Sequence, residues 1–223
     1  MPVRRSLATL LLACITGAIA ASARDVAQQD TDRPRVVSPG VDRSAPADAI
    51  VLFDGRDLSG WTKTDGSAPG WQVADGAMIA VRGEGAVISK EAFQDVQLHV
   101  EFATPTPVQG EGQGRGNSGV YLQGRYEVQV LDSFENDTYP NGQCGAIYGH
   151  HPPLVNACRK PGEWQTYDIV FRAARFDADG QKTRDATLTV FQNGVLIQDH
   201  AAVPSSTAAS MNQEGPEPGP LFL

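Results

Sequence analysis

The chain has 223 residues, of which 41% are apolar, 7% aromatic and 20% charged, a globular composition that excludes wholesale disorder and a collagenous or coiled-coil rod. Its 18 Lys and Arg against 26 Asp and Glu give a formal charge of −8 with no basic patch, which argues against attraction to a phosphate backbone and so against nucleic-acid binding. The 23 Gly and 15 Pro point to many turns and a β-rich fold.

In chain order, Arg4 and Arg5, the apolar run Leu7 to Ile15 and the small-residue stop Ala21-Ser22-Ala23 make a secretory signal peptide over residues 1–23. That run is too short for a stable membrane span and no other stretch is long enough, so a periplasmic or secreted protein without a membrane span is expected. Cys14 after Leu11-Leu-Ala makes a lipoprotein anchor the minor alternative. Residues 24–48 lack apolar periodicity and read as a disordered leader. One domain is expected over 49–223.

Within it, Val96, Leu98, Val100 and Phe102 alternate with polar residues, the period of a half-buried strand. Further strands are expected at Gly119 to Gln123 and Arg125 to Leu131 around Gly124, at Tyr167 to Arg172, and at Thr187 to Gln192 and Val195 to Gln198 across Asn193-Gly194. Asn-Gly between apolar runs is a strong hairpin signal. No helical stripe interrupts them, and the pattern reads as an all-β sandwich or jelly roll. The long connections Thr104 to Gly116 and Ser133 to Gly162 are the kind that carry function. Cys144 and Cys158 lie in the second. In an exported protein they read first as a disulfide, worth about 3 kcal/mol in the chain-entropy model. A zinc site with His150 and His151 is the weaker alternative, since the spacing fits no common pattern.

The segment from Gly116 to Ser133 carries the chemistry. A turn at Gln123 to Arg125 sets Leu122 opposite Tyr126, Val120 opposite Val128, and Tyr121 opposite Glu127. The apolar residues then share one face, and Asn117, Tyr121, Arg125, Glu127 and Gln129 share the other. A carboxylate, a guanidinium, amides and a phenol on one patch suit the hydroxyls and ring face of a sugar; a solvated face with an Arg125–Glu127 ion pair is the plainer reading. Glu127 to Asp132 also resembles the catalytic strand of laminarinase-type glucanases, with an amide at the middle acidic position. In a regular strand Glu127 and Asp132 lie about 16 Å apart on opposite faces, whereas a retaining hydrolase needs about 5 Å, so double displacement is not expected.

Leu52 to Trp61, the Gly116 to Ser133 stretch, Gly145-Ala-Ile-Tyr148, Pro153-Leu-Val-Asn156, Pro161 to Phe171 and Phe191-x-Asn-Gly-Val195 together resemble the 3-keto-disaccharide hydrolase family from about residue 50 onward. The resemblance implies a two-sheet concanavalin A-like jelly roll and an exported enzyme acting on glycosides oxidised at the sugar's C3. The family continues past Gly-Pro-Leu-Phe-Leu223 through a further strand, so a sheet short of its last strand and a C-terminally truncated domain are expected. A C3 ketone acidifies the C2 hydrogen, and elimination needs one base and oxyanion donors rather than two flanking carboxylates. On that reading Glu127 is the base and Arg125 the oxyanion clamp. Asn117, Tyr121, Gln129, Tyr148 and Trp164 bind the sugar, with His151 and Tyr148 as candidate proton donors. The partner is a carbohydrate substrate, and a non-catalytic carbohydrate-binding module is the alternative. No cofactor is expected; a divalent metal at Asp132 is the weaker option.

Overall fold

The computed structural model describes residues 33–41 and 44–223, so the expected signal peptide and residues 24–32 of the leader lie outside the described residues. Two compact units divide at Val51 and Leu52. In the first, the described residues form no strand; turns such as Ala47 N–H on the Ser38 carbonyl and an exposed Arg35–Asp48 ion pair of 2.6 Å organise them.

The second unit contains strands β1 (Trp61–Thr62), β2 (Gln72–Ala74), β3 (Ala77–Ile79), β4 (Ile88–Phe93), β5 (Val96–Phe102), β6 (Ser118–Leu122) and β7 (Tyr126–Val130). They are followed by β8 (Gln165–Arg172), β9 (Arg175–Phe176), β10 (Lys182–Arg184), β11 (Ala186–Gln192), β12 (Val195–Val203) and β13 (Gly219–Phe222). A five-stranded sheet in the order β1-β4-β13-β6-β7 faces a four-stranded sheet in the order β12-β11-β8-β5, and two short ribbons, β2-β3 and β9-β10, complete the jelly-roll sandwich. All pairings between these strands are antiparallel.

Alternation explains the layering. Tyr167, Ile169 and Phe171 of β8 and Leu188 and Val190 of β11 point inward, and so do Val120, Leu122, Tyr126 and Val128 of the opposing sheet. The Tyr126 and Phe171 rings meet across the interface with centroids 5.5 Å apart. Each large side chain so buried contributes roughly 1.5–3 kcal/mol. Asn193 and Gly194 take φ of 52° and 79°, the left-handed turn that the Asn-Gly pair predicts between β11 and β12.

The terminal run is itself strand β13, inserted between β4 and β6. Its proline sits where the register with β4 shifts, between Pro220 and Phe222, a position that tolerates the missing N–H. β7 is covered too. Residues 145–148 run beside it, with Gln129 N–H on the Ala146 carbonyl, Gly145 N–H on the Gln129 carbonyl and Tyr148 N–H on the Glu127 carbonyl. A loop thereby closes what would be an open sheet edge.

Candidate active site

The site is built on the β6–β7 hairpin. Gln123 and Gly124 adopt φ of 57° and 64°, and Arg125 N–H closes the turn on the Leu122 carbonyl at 3.0 Å. The register is the expected one: Leu122 opposes Tyr126, Val120 opposes Val128 and Tyr121 opposes Glu127. Glu127 turns its N–H to Thr207 Oγ1 at 3.0 Å and its carbonyl to Tyr148 N–H at 3.2 Å, both away from β6. Tyr121 and Glu127 are therefore a non-hydrogen-bonded pair, the kind whose side chains lie closest.

Glu127, Tyr121 and Gln129 are buried on the sheet's outer face, with 6%, 7% and 1% exposure. The Glu127 carboxyl leans over Gly119, where a Cβ would stand 2.3 Å from its Oε1. Burial pushes the carboxyl up to about 7, and a hydrogen bond with the Tyr121 hydroxyl offsets only part of that rise. The same burial, with the Glu127 charge, raises the Tyr121 phenol well above its usual range. Among the described residues, neither a cation nor a second carboxylate contributes to the shift at Glu127. A group half ionised near neutrality is suited to taking a proton from carbon.

Amides frame this carboxyl. With its nitrogen turned toward β6, the Gln129 side chain donates to Glu127 Oε1 at 2.9 Å and to the Ser118 carbonyl at 3.0 Å. Its other end lies 3.1 Å from the side-chain amide of Gln113. Gln113 Nε2 donates in turn to the Gly142 carbonyl at 2.8 Å and Thr138 Oγ1 at 2.9 Å, and Asn117 Nδ2 donates to the Gln113 main-chain carbonyl at 2.9 Å. Ile147 bridges Val128 and is fully buried in the core, so its neighbour Tyr148 projects from the outer face beside Glu127. The Tyr148 hydroxyl bonds to that of Tyr139. On the far side, the Thr207–Ala208 segment covers the hairpin, with the Ala208 carbonyl 3.4 Å from the Tyr121 hydroxyl.

Glu127, Tyr121, Gln129, Asn117 and Tyr148 are thus brought together, and three other expected residues are placed elsewhere. Arg125 turns to the chain's C-terminal segment. Its Nη1 donates to Gln123 Oε1 at 3.0 Å and to the Gly215 and Glu217 carbonyls at 3.2 and 3.0 Å. Its guanidinium is taken up by those carbonyls and makes no contribution to Glu127. All three bonds come from that one nitrogen, and Arg125→Ala, which removes them, is expected to cost about 1–3 kcal/mol in equilibrium urea unfolding. His151 gives Nε2 to the Ala202 carbonyl at 2.7 Å, and Trp164 is 53% exposed at the start of the opposite sheet's β8.

Two further expectations meet other contacts. Asp132 Oδ2 accepts from Arg115 Nε at 2.5 Å and its Oδ1 from the Phe134 N–H at 3.2 Å. The expected Cys144–Cys158 disulfide is not formed. Both are free thiols hydrogen-bonded to each other, and each has further partners: Cys144 Sγ lies 3.1 Å from the Tyr167 hydroxyl, and Cys158 Sγ faces the Leu131 carbonyl. His99 and Asp168 form a cross-strand pair on the opposite sheet at 2.6 Å, and Asp54 accepts the Arg56 N–H in a turn.

Sequence reasoning missed Gly119, Gln113, Tyr139 and Thr207. Gly119 was readable in principle, since it faces Gln129 beside the key carboxylate. The other three come from loops without a period.

The description that matches this chain is the 3-keto-alpha-glucoside-1,2-lyase-like domain, over residues 48–223. A crystal structure of a putative glycosyl hydrolase from Parabacteroides distasonis ATCC 8503 is 46% identical, with a TM-score of 0.81 over 85% of this chain and 84% of that one. A second from the same organism, also titled a putative glycosyl hydrolase, shares the fold at 20% identity, with a TM-score of 0.55 over 78% of this chain and 85% of that one. No curated protein matches. The chain therefore belongs to the 3-keto-alpha-glucoside-1,2-lyase-like domain family, whose jelly roll it shares.

Proposed function

We propose that this protein is an exported enzyme that cleaves the glycosidic bond of 3-keto-glycosides by elimination. Glu127 takes the C2 proton, the electrons pass toward the C3 ketone, and the C1 oxygen departs; water then adds across the double bond. The observation that carries this reading is the buried Glu127 carboxyl, lifted to about 7 and flanked by Tyr121 and Gln129. A module that only holds sugars gains nothing from burying an unpaired carboxyl, which costs stability. Double displacement needs a second carboxyl at about 5 Å, and none acts on Glu127 among the described residues. Tyr121, Gln129 and Asn117 orient the sugar, with the Ala208 contact on Tyr121 giving way as it enters. Export rests on the signal-peptide pattern of residues 1–23.

Incubation with 3-keto-sucrose, 3-keto-lactose or 3-keto-trehalose should release free monosaccharide, while the unoxidised disaccharides stay intact. No release from any of the three overturns the proposal.

A further inference from the structure

The elimination needs a proton for the departing oxygen, and Glu127 cannot supply it while acting as base. Tyr148 is held beside Glu127 by its own N–H on the Glu127 carbonyl. Its hydroxyl is bonded to that of Tyr139, and the two rings meet edge to face with centroids 6.3 Å apart at 69°.

Several contacts fix Tyr139 there. Gly149 N–H donates to the Asn141 carbonyl at 3.0 Å and Asn141 Nδ2 to the Gly149 carbonyl at 3.3 Å, so the turn after Tyr139 is stapled to the residue after Tyr148. A Cβ at Gly142 would stand 2.4 Å from the Tyr139 ring, so that ring lies directly on the glycine whose carbonyl Gln113 holds. The Tyr139 ring, the Gly142 carbonyl and the Gln113 and Gln129 side-chain amides thus lie in one cluster beside the Glu127 carboxyl. Tyr139 is 46% exposed, so water alone would satisfy its hydroxyl, and the bond to Tyr148 is not needed to bury it. That bond pushes the Tyr139 phenol up to about 12.

Resting on the reading of Glu127 as base, we propose that Tyr148 is the acid that protonates the leaving glycosidic oxygen, and that Tyr139 is a positioning residue whose hydroxyl donates to the Tyr148 oxygen. That donation turns the Tyr148 proton toward substrate and stabilises the phenolate it leaves. The cycle balances. In elimination the C2–H and C1–O bonds break, Glu127 gains the C2 proton and Tyr148 gives its proton to the leaving oxygen. In hydration a water delivers hydroxide to C1 and its proton to the Tyr148 phenolate, and Glu127 returns its proton to C2.

A nitrophenyl 3-keto-glucoside, whose leaving group needs no acid, separates this role from a structural one. On a 3-keto-disaccharide, Tyr148→Phe should lower kcat by about 10²–10³-fold and Tyr139→Phe by about tenfold at unchanged KM. On the nitrophenyl substrate both variants should lose less than about threefold. Equal losses on the two substrates overturn the proposal while leaving the parent reading intact. A wild-type chain that cleaves neither overturns both. Should the variants fail to fold, the solvent deuterium isotope effect on wild-type kcat decides: it slows the disaccharide but not the nitrophenyl substrate, and equal effects overturn the assignment.

Discussion

Glu127→Gln should lower turnover of a 3-keto-disaccharide by about 10³–10⁴-fold, the range a lost general base commands, and yet make the protein more stable above neutral pH. The two effects share a cause. Burial raises the carboxyl from an ordinary 4.5 to about 7, so the folded chain holds this proton more tightly than the unfolded one. Stability then falls as pH rises through that window, and the cost is fully present above it, on the order of 3 kcal/mol. Glutamine carries no charge and removes the cost. At pH 8 the variant should melt several degrees above wild type, and near pH 4 the two should coincide. Wild-type kcat/KM should climb with pH to a half-maximum near 7, as a base that must be ionised requires. A variant that keeps its turnover, or melts lower than wild type at pH 8, would remove Glu127 from the chemistry.

Gly119→Ala should reduce turnover by about 10²-fold, because an ångström of misplacement at a reacting group costs that much. The backbone there is not left-handed, so the effect comes from the added methyl alone. It would lie 2.3 Å from Glu127 Oε1 and 2.8 Å from Tyr121 Cε2, and both side chains must yield. Overpacking of this kind costs about 1–3 kcal/mol of stability. The discriminating measurement is a double mutant: in a Glu127→Gln background, Gly119→Ala should lower turnover hardly further. Losses that multiply would mean that the glycine acts through something other than the carboxyl.

The residues legible in the sequence are those whose placement is local. The β6–β7 register followed from one turn and a two-residue period, and it put Tyr121, Glu127 and Gln129 on one face. β5 and the Asn193-Gly194 hairpin were readable for the same reason. β4 was not, because Ser89 is buried to receive Leu221 N–H from a strand far along the chain, while Lys90 and Glu91 stay exposed. β13 carries a glycine and a proline that signal a break, and only its neighbours make it a strand. Arg125 obeyed the alternation on paper but lies at the end of a turn, where carbonyls 90 and 92 residues away capture its guanidinium. Gln113, Tyr139 and Thr207 reach the site through loop closure, which leaves no periodic trace. The cysteine spacing suggested a covalent link, and the thiols do sit together, each engaged in hydrogen bonds.

The segment that runs beside β7 imposes a parity on its own evolution. Ile147 faces the core and Tyr148 the outer side, so one residue inserted between them would send the phenol into the apolar interior while Ile147 keeps its place. Length variation is then tolerable beyond His151, where the bridge to Ile147 has ended, but between Ile147 and Tyr148 only in steps of two.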